Sequence, residues 1–329
     1  MHERQPDISF KSVLGDHLKS FLQEKQACGY RYTREIENLR RFDRFLINSG
    51  LSKIELPKTI IEQWAIRPPH ESVRSWQQRI NLARGVATYL NRMGVSAYVP
   101  ARGAAVNHLD FTPYIFSHDE VHQIIAASDR LKKDFRSPFR HLIIPIIFRL
   151  LYGCGMRANE VLRLKRKDID LDAAIITVRE GKFRKDRLVP VAASTVRKMR
   201  EYAATADLND PNAYFFQSPD GGRYGSRTIY AYFRRLLREC HISHGGRGVG
   251  PRMHDLRHTF AVHRLELWYR EGADLNAMLP VLAVYLGHQR LAGTQRYLRL
   301  TPNIFPDITG RLEESVGHVF PHREAYETD

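Results

Sequence analysis

Three glycines, Gly29, Gly50 and Gly94, each close a run in which apolar residues recur three or four positions apart, and this commits the start of the chain to helices. Val13, Leu14, Leu18, Phe21 and Leu22 form one stripe; Leu39, Phe42, Phe45 and Leu46 form the next. The runs "SFKSVLGDHLKSFLQEKQA", "TREIENLRRFDRFLINSG", "TIIEQWAI" and "ESVRSWQQRINLARGVATYLNRMG" predict four helices in one module over residues 1–94. From Val95 to Phe116 the periodicity stops, and Pro100, Gly103 and Pro113 mark a linker. A chain of 329 residues can bury a second core beyond it, over 117–329.

That second part opens with "SHDE", in which Ser117 and Glu120 make a capping box for a helix reaching about Leu131. The apolar helix "FRHLIIPIIFRLLYG" follows, with a kink expected at Pro145. Two β-branched runs, "AIITV" and "RLVPV", flank "REGKFRKD" and predict a hairpin. Helices resume near Ser194 and in "SRTIYAYFRRLLREC", where Tyr230, Phe233 and Leu237 mark an apolar stripe beside Arg234, Arg235 and Arg238. The fold class is therefore mainly α with a small antiparallel β-sheet.

Lysine and arginine number 51 against 36 acids, a net charge of +15, which calls for a polyanionic partner such as nucleic acid. Residues 1–110 alone carry 17 basic and 11 acidic side chains, so the first module can grip DNA without performing chemistry. No apolar run approaches the length of a membrane span, and "MHERQPDISF" lacks the hydrophobic segment of a secretory signal. No membrane partner is expected, and the cytoplasm, on the nucleoid when DNA is bound, is the expected location. Cys28, Cys154 and Cys240 are odd in number and far apart, fitting neither a disulfide framework nor a metal cluster.

The segment "MHDLRHTF" concentrates the chemistry. On a helix, His254, Arg257 and His258 share a face, so a zinc ion held by the two histidines would meet a fixed cation. A phosphate would not. The zinc-protease pattern also places glutamate directly after the first histidine, where this chain has Asp255. Elsewhere, Arg157 follows "YGCG" at a helix start, Lys182 sits among Arg179, Arg184, Lys185 and Arg187 on the hairpin, and "YLGHQRLAGTQRYLRL" supplies His288 and Tyr297.

In that order these residues resemble the tyrosine recombinase, or phage integrase, family. "YGCGMRANEVLRL" is similar to its first-arginine box, "EGKFRKDRLVP" to its lysine hairpin, "HDLRHTFAVH" to its central box and "LGHQRLAGTQRYL" to its tyrosine box. The resemblance implies a helical, SAM-like core-binding domain over 1–94 and a catalytic domain over 117–329. It implies catalytic roles for Arg157, Lys182, His254, Arg257, His288 and Tyr297, with Glu160 and His258 in support. Phe183, Leu298 and Arg299 depart from the usual boxes, and the long interval "LELWYREGADLNAMLPVLAVY" looks like members carried by transposon-like elements.

The chemistry supports the same assignment. A phosphodiester attacked by a side chain passes through a strongly anionic state that preorganised cations stabilise, and two arginines can each bond two phosphate oxygens. Tyr297 is the expected nucleophile; with a reference pKa of about 10, only about one phenol in a thousand is ionised at pH 7, so nearby cations are expected to favour ionisation. His254 is the expected proton acceptor, His288 a donor to phosphate, and Lys182 the acid for the leaving 5′ oxygen. Arg179, Arg184, Lys185, Arg187, Arg234 and Arg235 are expected on DNA. No metal or cofactor is required. The expected partners are double-stranded recombination sites, a homo-tetramer on paired sites with Ile304 to Phe320 as an apolar strip between subunits, and accessory or sister recombinases. Two alternatives stay open: a topoisomerase-like nicking and rejoining enzyme, and a non-catalytic DNA-binding partner of a recombinase.

Overall fold

The apolar stripes of the first 94 residues meet one another in the computed structural model, which describes residues 8–30, 32–101, 112–179, 186–206, 208–246, 249–288 and 290–300. The chain divides into two units, Met1–Phe111 and Thr112–Asp329. Helices α1 (Gly15–Ala27), α2 (Thr33–Asn48), α3 (Lys58–Ala65) and α4 (Val73–Arg92) build the first. Leu14, Leu18, Phe21, Leu39, Phe42 and Leu46 bury their stripes together with Ile61, Val86 and Leu90. α1 begins at Gly15, later than the periodicity suggests, where the buried Asp43 carboxylate accepts from the amides of Lys11 (2.8 Å) and Ser12 (2.9 Å) and holds the preceding turn.

The stretch expected as a linker is anchored at both ends. Val95, Ala97 and Val99 pack on the first core, and the amide of Leu56 donates to the Ser96 carbonyl at 2.9 Å. Phe116 is fully buried in the second core. Residues 102–111 lie outside the described residues.

In the second unit, α5 (His118–Asp129) starts with both halves of the Ser117–Glu120 capping box. α6 (Arg140–Gly153) is apolar on nearly every side because it runs through the core, burying Ile143, Ile144, Ile147, Phe148 and Leu151. Pro145 lies within it, and its carbonyl accepts from Nη1 of Arg149 at 3.2 Å. After the one-turn α7 (Ala158–Val161) come β1 (Ile169–Asp170), β2 (Ile175–Val178) and β3 (Arg187–Pro190), an antiparallel sheet in the order β1-β2-β3. The hairpin pairs Ile175 with Pro190 and Val178 with Arg187. β1 was not expected, since two residues carry no periodic signal.

α8 (Ala193–Thr205), α9 (Ser226–Glu239), α10 (Asp255–Arg270), α11 (Leu275–Leu286), α12 (Ala292–Gln295) and a 3₁₀ turn at Arg296–Leu300 follow among the described residues. α10 is buried continuously from Asp255 to His263, which turns even its charged residues inward. The turn between α6 and α7 depends on Gly155, whose φ of 56° is left-handed. A Cβ there would stand 2.5 Å from Cδ1 of Phe260 and 3.0 Å from Cδ2 of Leu286. Gly155→Ala should therefore destabilise the fold by about 2–4 kcal/mol, combining the left-handed penalty with overpacking. Chemical denaturation checks this; a change below about 0.5 kcal/mol would show that neither strain is present.

Candidate active site

Arg257, on the first turn of α10, is 1% exposed, and a guanidinium so buried must find acceptors. Nη1 donates to the Gly155 carbonyl at 2.7 Å, and Nη2 to the Leu286 carbonyl at 2.5 Å and to Nε2 of His288 at 3.2 Å. A guanidinium only donates, so Nε2 of His288 accepts and a neutral ring carries its proton on Nδ1. Nδ1 lies 2.8 Å from Oγ1 of Thr294, a fully buried hydroxyl on α12. One cation thus joins the α6–α7 turn, the end of α11 and the tyrosine segment. Burial, then repulsion from Arg157, lowers the Arg257 pKa to about 10, leaving it charged at neutral pH.

Arg157 caps α7. Its amide and its Nη1 both donate to the Glu160 carboxylate, at 3.0 and 2.8 Å, and Nη2 reaches the Gly287 carbonyl at 3.3 Å. Gly287 can offer that carbonyl because it ends α11 in the left-handed region, φ 67°. Glu160 takes a second arginine on its other side: Arg187 donates through Nη1 at 3.1 Å and Nη2 at 2.7 Å, and its Nε donates to the Tyr285 carbonyl at 2.9 Å. Burial alone would raise the Glu160 pKa, but the hydrogen bonds and charges of Arg187 and Arg157 carry it down to about 2. Arg187 therefore corrects its assignment to DNA. Its side chain is turned inward and is occupied by Glu160.

Tyr297 is 1% exposed, and its hydroxyl lies 2.9 Å from Nδ1 of His258. The His288 ring stacks beside the phenol at 6.1 Å, and the His254 ring meets His258 edge-on at 4.8 Å. The structure thus puts His258, expected only in support, on the hydroxyl of Tyr297, the expected nucleophile, where His254 was the expected acceptor. Burial raises the Tyr297 pKa more than Arg257, Arg296 and Arg157 lower it, so the net direction is upward and the resting group is a neutral phenol. Ionisation ahead of the reaction, the expectation from charge alone, is not what this environment favours. His288 also differs from expectation, because its Nε2 accepts from Arg257 rather than standing as a donor. Sequence reading missed Thr294, Arg296 and the carbonyls of Gly155 and Gly287.

Of the other predicted residues, Arg234 and Arg235 are exposed on α9, the latter paired with Glu239 at 2.8 Å. Arg179 is half exposed and pairs with Asp168 at 2.7 Å. Lys182, Arg184 and Lys185 lie outside the described residues, as does the strip from Ile304 to Phe320.

Crowding by protein, then repulsion by Arg257 and Arg157, lowers the His254 pKa to about 4, although the residue is open to solvent on one side. Burial, then His254, lowers that of His258 to about 3. In the unfolded chain His258 would titrate near 6.5, so its contribution to stability is complete above that pH and is lost as pH falls towards 3. Stability should fall between pH 6.5 and 4.5 with a slope to which His258 adds about 1 kcal/mol per pH unit. Denaturation midpoints of the protein and of His258→Gln check this. Equal slopes would mean that the ring titrates alike in the folded and unfolded chains.

The phage integrase family matches residues 115–303, a span that contains each of these groups. A protein of Sinorhizobium fredii named as an integrase/recombinase is 30% identical over 92% of this chain and 98% of its own length. The tyrosine recombinase XerA of Thermococcus onnurineus is 32% identical over 57% of this chain and 59% of its own. Among solved structures, the XerH site-specific recombinase bound to palindromic difH substrate has a TM-score of 0.62 at 17% identity, covering 89% of this chain and 85% of that one. The Tn1549 transposon integrase in complex with transposon right end DNA has a TM-score of 0.59 at 15% identity, covering 91% and 99%. At those identities the two structures speak for the fold, while the family match and the full-length relative speak for descent: the chain belongs to the phage integrase family, the tyrosine recombinases.

Proposed function

We propose that this protein is a site-specific DNA recombinase of the integrase or transposase kind, which cuts and rejoins strands through a 3′-phosphotyrosyl bond. The observation that carries the mechanism is the Tyr297 hydroxyl 2.9 Å from a histidine nitrogen, beside a buried arginine. Family membership, relatives named as recombinases and neighbours solved with DNA support the substrate. Tyr297 attacks the phosphorus, its proton passes to His258, the bond to the 5′ oxygen breaks, and Lys182 protonates that oxygen. A later 5′ hydroxyl reverses these transfers and regenerates Tyr297. Arg157 and Arg257 hold the phosphate oxygens as charge builds on them. Arg257 and Tyr297 are both buried at rest, so DNA must draw the Arg296–Leu300 turn open before attack.

Arg234, Arg235 and Arg238 line a shallow groove of about 620 Å³ with His241 and His244, and this is the surface we assign to the phosphate backbone. The excess of basic over acidic side chains in residues 1–94 supports a second DNA contact by the first unit. Assembly as a homo-tetramer on paired sites through residues 304–329, accessory or sister recombinases, and a cytoplasmic location complete the reading.

On suicide DNA from its own element, Tyr297→Phe should bind normally and form no covalent adduct, and adduct in that variant would remove the tyrosine. His258→Gln should slow adduct formation about a hundredfold, as loss of a general base does, and His254→Gln should slow it less. The reverse order would return the proton to His254. Thr294→Val, isosteric but without the hydroxyl, should cost about threefold to tenfold in cleavage rate by freeing the His288 ring. Thr294→Ser should restore the rate; a serine variant as slow as valine would mean that packing, not the hydrogen bond, is what Thr294 supplies.

A further inference from the structure

Two turns beyond the catalytic residues, α10 carries His263 and Glu266, which share a face at a spacing of three. Both are buried, at 8% and 2% exposure. The first residue of α5, His118, lies across from them, because the amide of Phe116 donates to Oγ1 of Thr259 at 3.0 Å and draws that segment over α10. The three side chains each offer a ligand atom, and these atoms lie within 4.8 Å of one another. The His118 and His263 rings stack with centroids 3.8 Å apart and planes at 22°. Nδ1 of His263 is held by the Tyr152 hydroxyl at 3.0 Å.

We propose that His118, His263 and Glu266 form a binding site for a zinc-class divalent cation that pins α5 to α10. Two imidazoles and one carboxylate are a donor set that zinc accepts, with a water in the fourth place. The set mixes nitrogen with one charged oxygen, which suits zinc or cobalt rather than the all-oxygen sites of calcium and magnesium. A tetrahedral ion with bonds of about 2.1 Å needs its ligand atoms about 3.4 Å apart, so the cluster has to contract by roughly an ångström. His118 supplies that movement. It is exposed at a helix start, and its ring swings out of the stack to point its nitrogen at the ion. The other two ligands are held by the core. When the Tyr152 hydroxyl accepts from Nδ1–H of His263, Nε2 keeps its lone pair, the arrangement by which outer partners fix a metal-binding histidine. Binding gives up the contact of that ring with the Phe116 carbonyl, and Glu266 offsets the repulsion from nearby Arg264 and Arg270.

The role is structural. α10 presents His254, Arg257 and His258 from its first turn, and a cation at its third turn ties that helix to the start of the catalytic unit. The test uses the full chain, stripped with chelator and dialysed. Zinc titrated calorimetrically should bind at one tight site per chain, raise the melting temperature, and be replaceable by cobalt with the visible absorption of a tetrahedral ion. His118→Ala removes an exposed side chain and leaves the core whole; it should lose about tenfold or more in zinc affinity and the thermal gain. Glu266→Gln should lose affinity as well, and if it folds poorly the His118 variant decides alone. Zinc binding to His118→Ala within about twofold of the parent would overturn the proposal, placing the metal on other histidines. So would an absence of binding in the parent below about 10 μM, given that structural zinc sites hold far more tightly.

Discussion

A guanidinium at 1% exposure cannot be left to chance, and the catalytic unit is arranged around the needs of Arg257. Burying a charge costs several kcal/mol unless fixed acceptors replace water. Carbonyls serve only where the backbone stops using them itself, which is at helix ends and tight turns. That is why Arg257 reaches the Gly155 turn after α6 and the Leu286 carbonyl in the last turn of α11. The same requirement fixes His288, which accepts the remaining Nη2 proton and is set in turn by Thr294. Two glycines make this possible, Gly155 and Gly287, both in the left-handed region.

The second device is a carboxylate between two cations. Glu160 holds Arg157 from α7 and Arg187 from β3, tying the helix start to the sheet. Without it, two guanidiniums beside Arg257 would repel one another at a site already short of water. Burial, with the positive charge that remains, lowers the histidines, so that His258 and His254 stay neutral through the physiological range. It does not free the tyrosine proton, because burial outweighs the pull of the arginines on Tyr297. An arriving phosphodiester brings negative charge, which weakens that pull further. In the proposed mechanism proton loss therefore accompanies attack, and an acceptor in contact with the hydroxyl does more for the reaction than cations at a distance.

Much of this was legible in the sequence, for physical reasons that differ by element. The helices follow from apolar spacing and glycine stops, and the capping box at Ser117 appeared as its letters promise. The hairpin strands were marked by β-branched runs, whereas β1, two residues long, carries no period at all. Arg187 was misread because it was counted with a charge run. Strand alternation held the better signal: Arg187 shares a face with Val189, which is fully buried, while Leu188 between them is exposed. The Tyr297–His258 pair, 39 residues apart, and the Thr294 support for His288 depend on how α10, α11 and α12 pack, and no local pattern encodes that.

The closed tyrosine sets a small threshold rather than a lock. Tyr297 belongs to a cluster with Phe260, Leu265, Leu282 and Leu286, and exposing a side chain of this kind forfeits about 1.5–3 kcal/mol of burial. Loss of its hydrogen bond to His258 adds about 1 kcal/mol, in part returned by water. A gap of about 2–4 kcal/mol leaves the open form at roughly 0.1–3% in the free protein, so Tyr297 is covered without being trapped. A ligand that favours the open form by the same amount brings the two states level. An arginine–phosphate contact to the buried Arg257 is of that size, since hydrogen bonds to charged groups contribute about 1.5–3 kcal/mol each. In the proposed mechanism, the interactions that bind the reacting phosphate are thus large enough to uncover Tyr297, which would couple cleavage to correct seating of DNA.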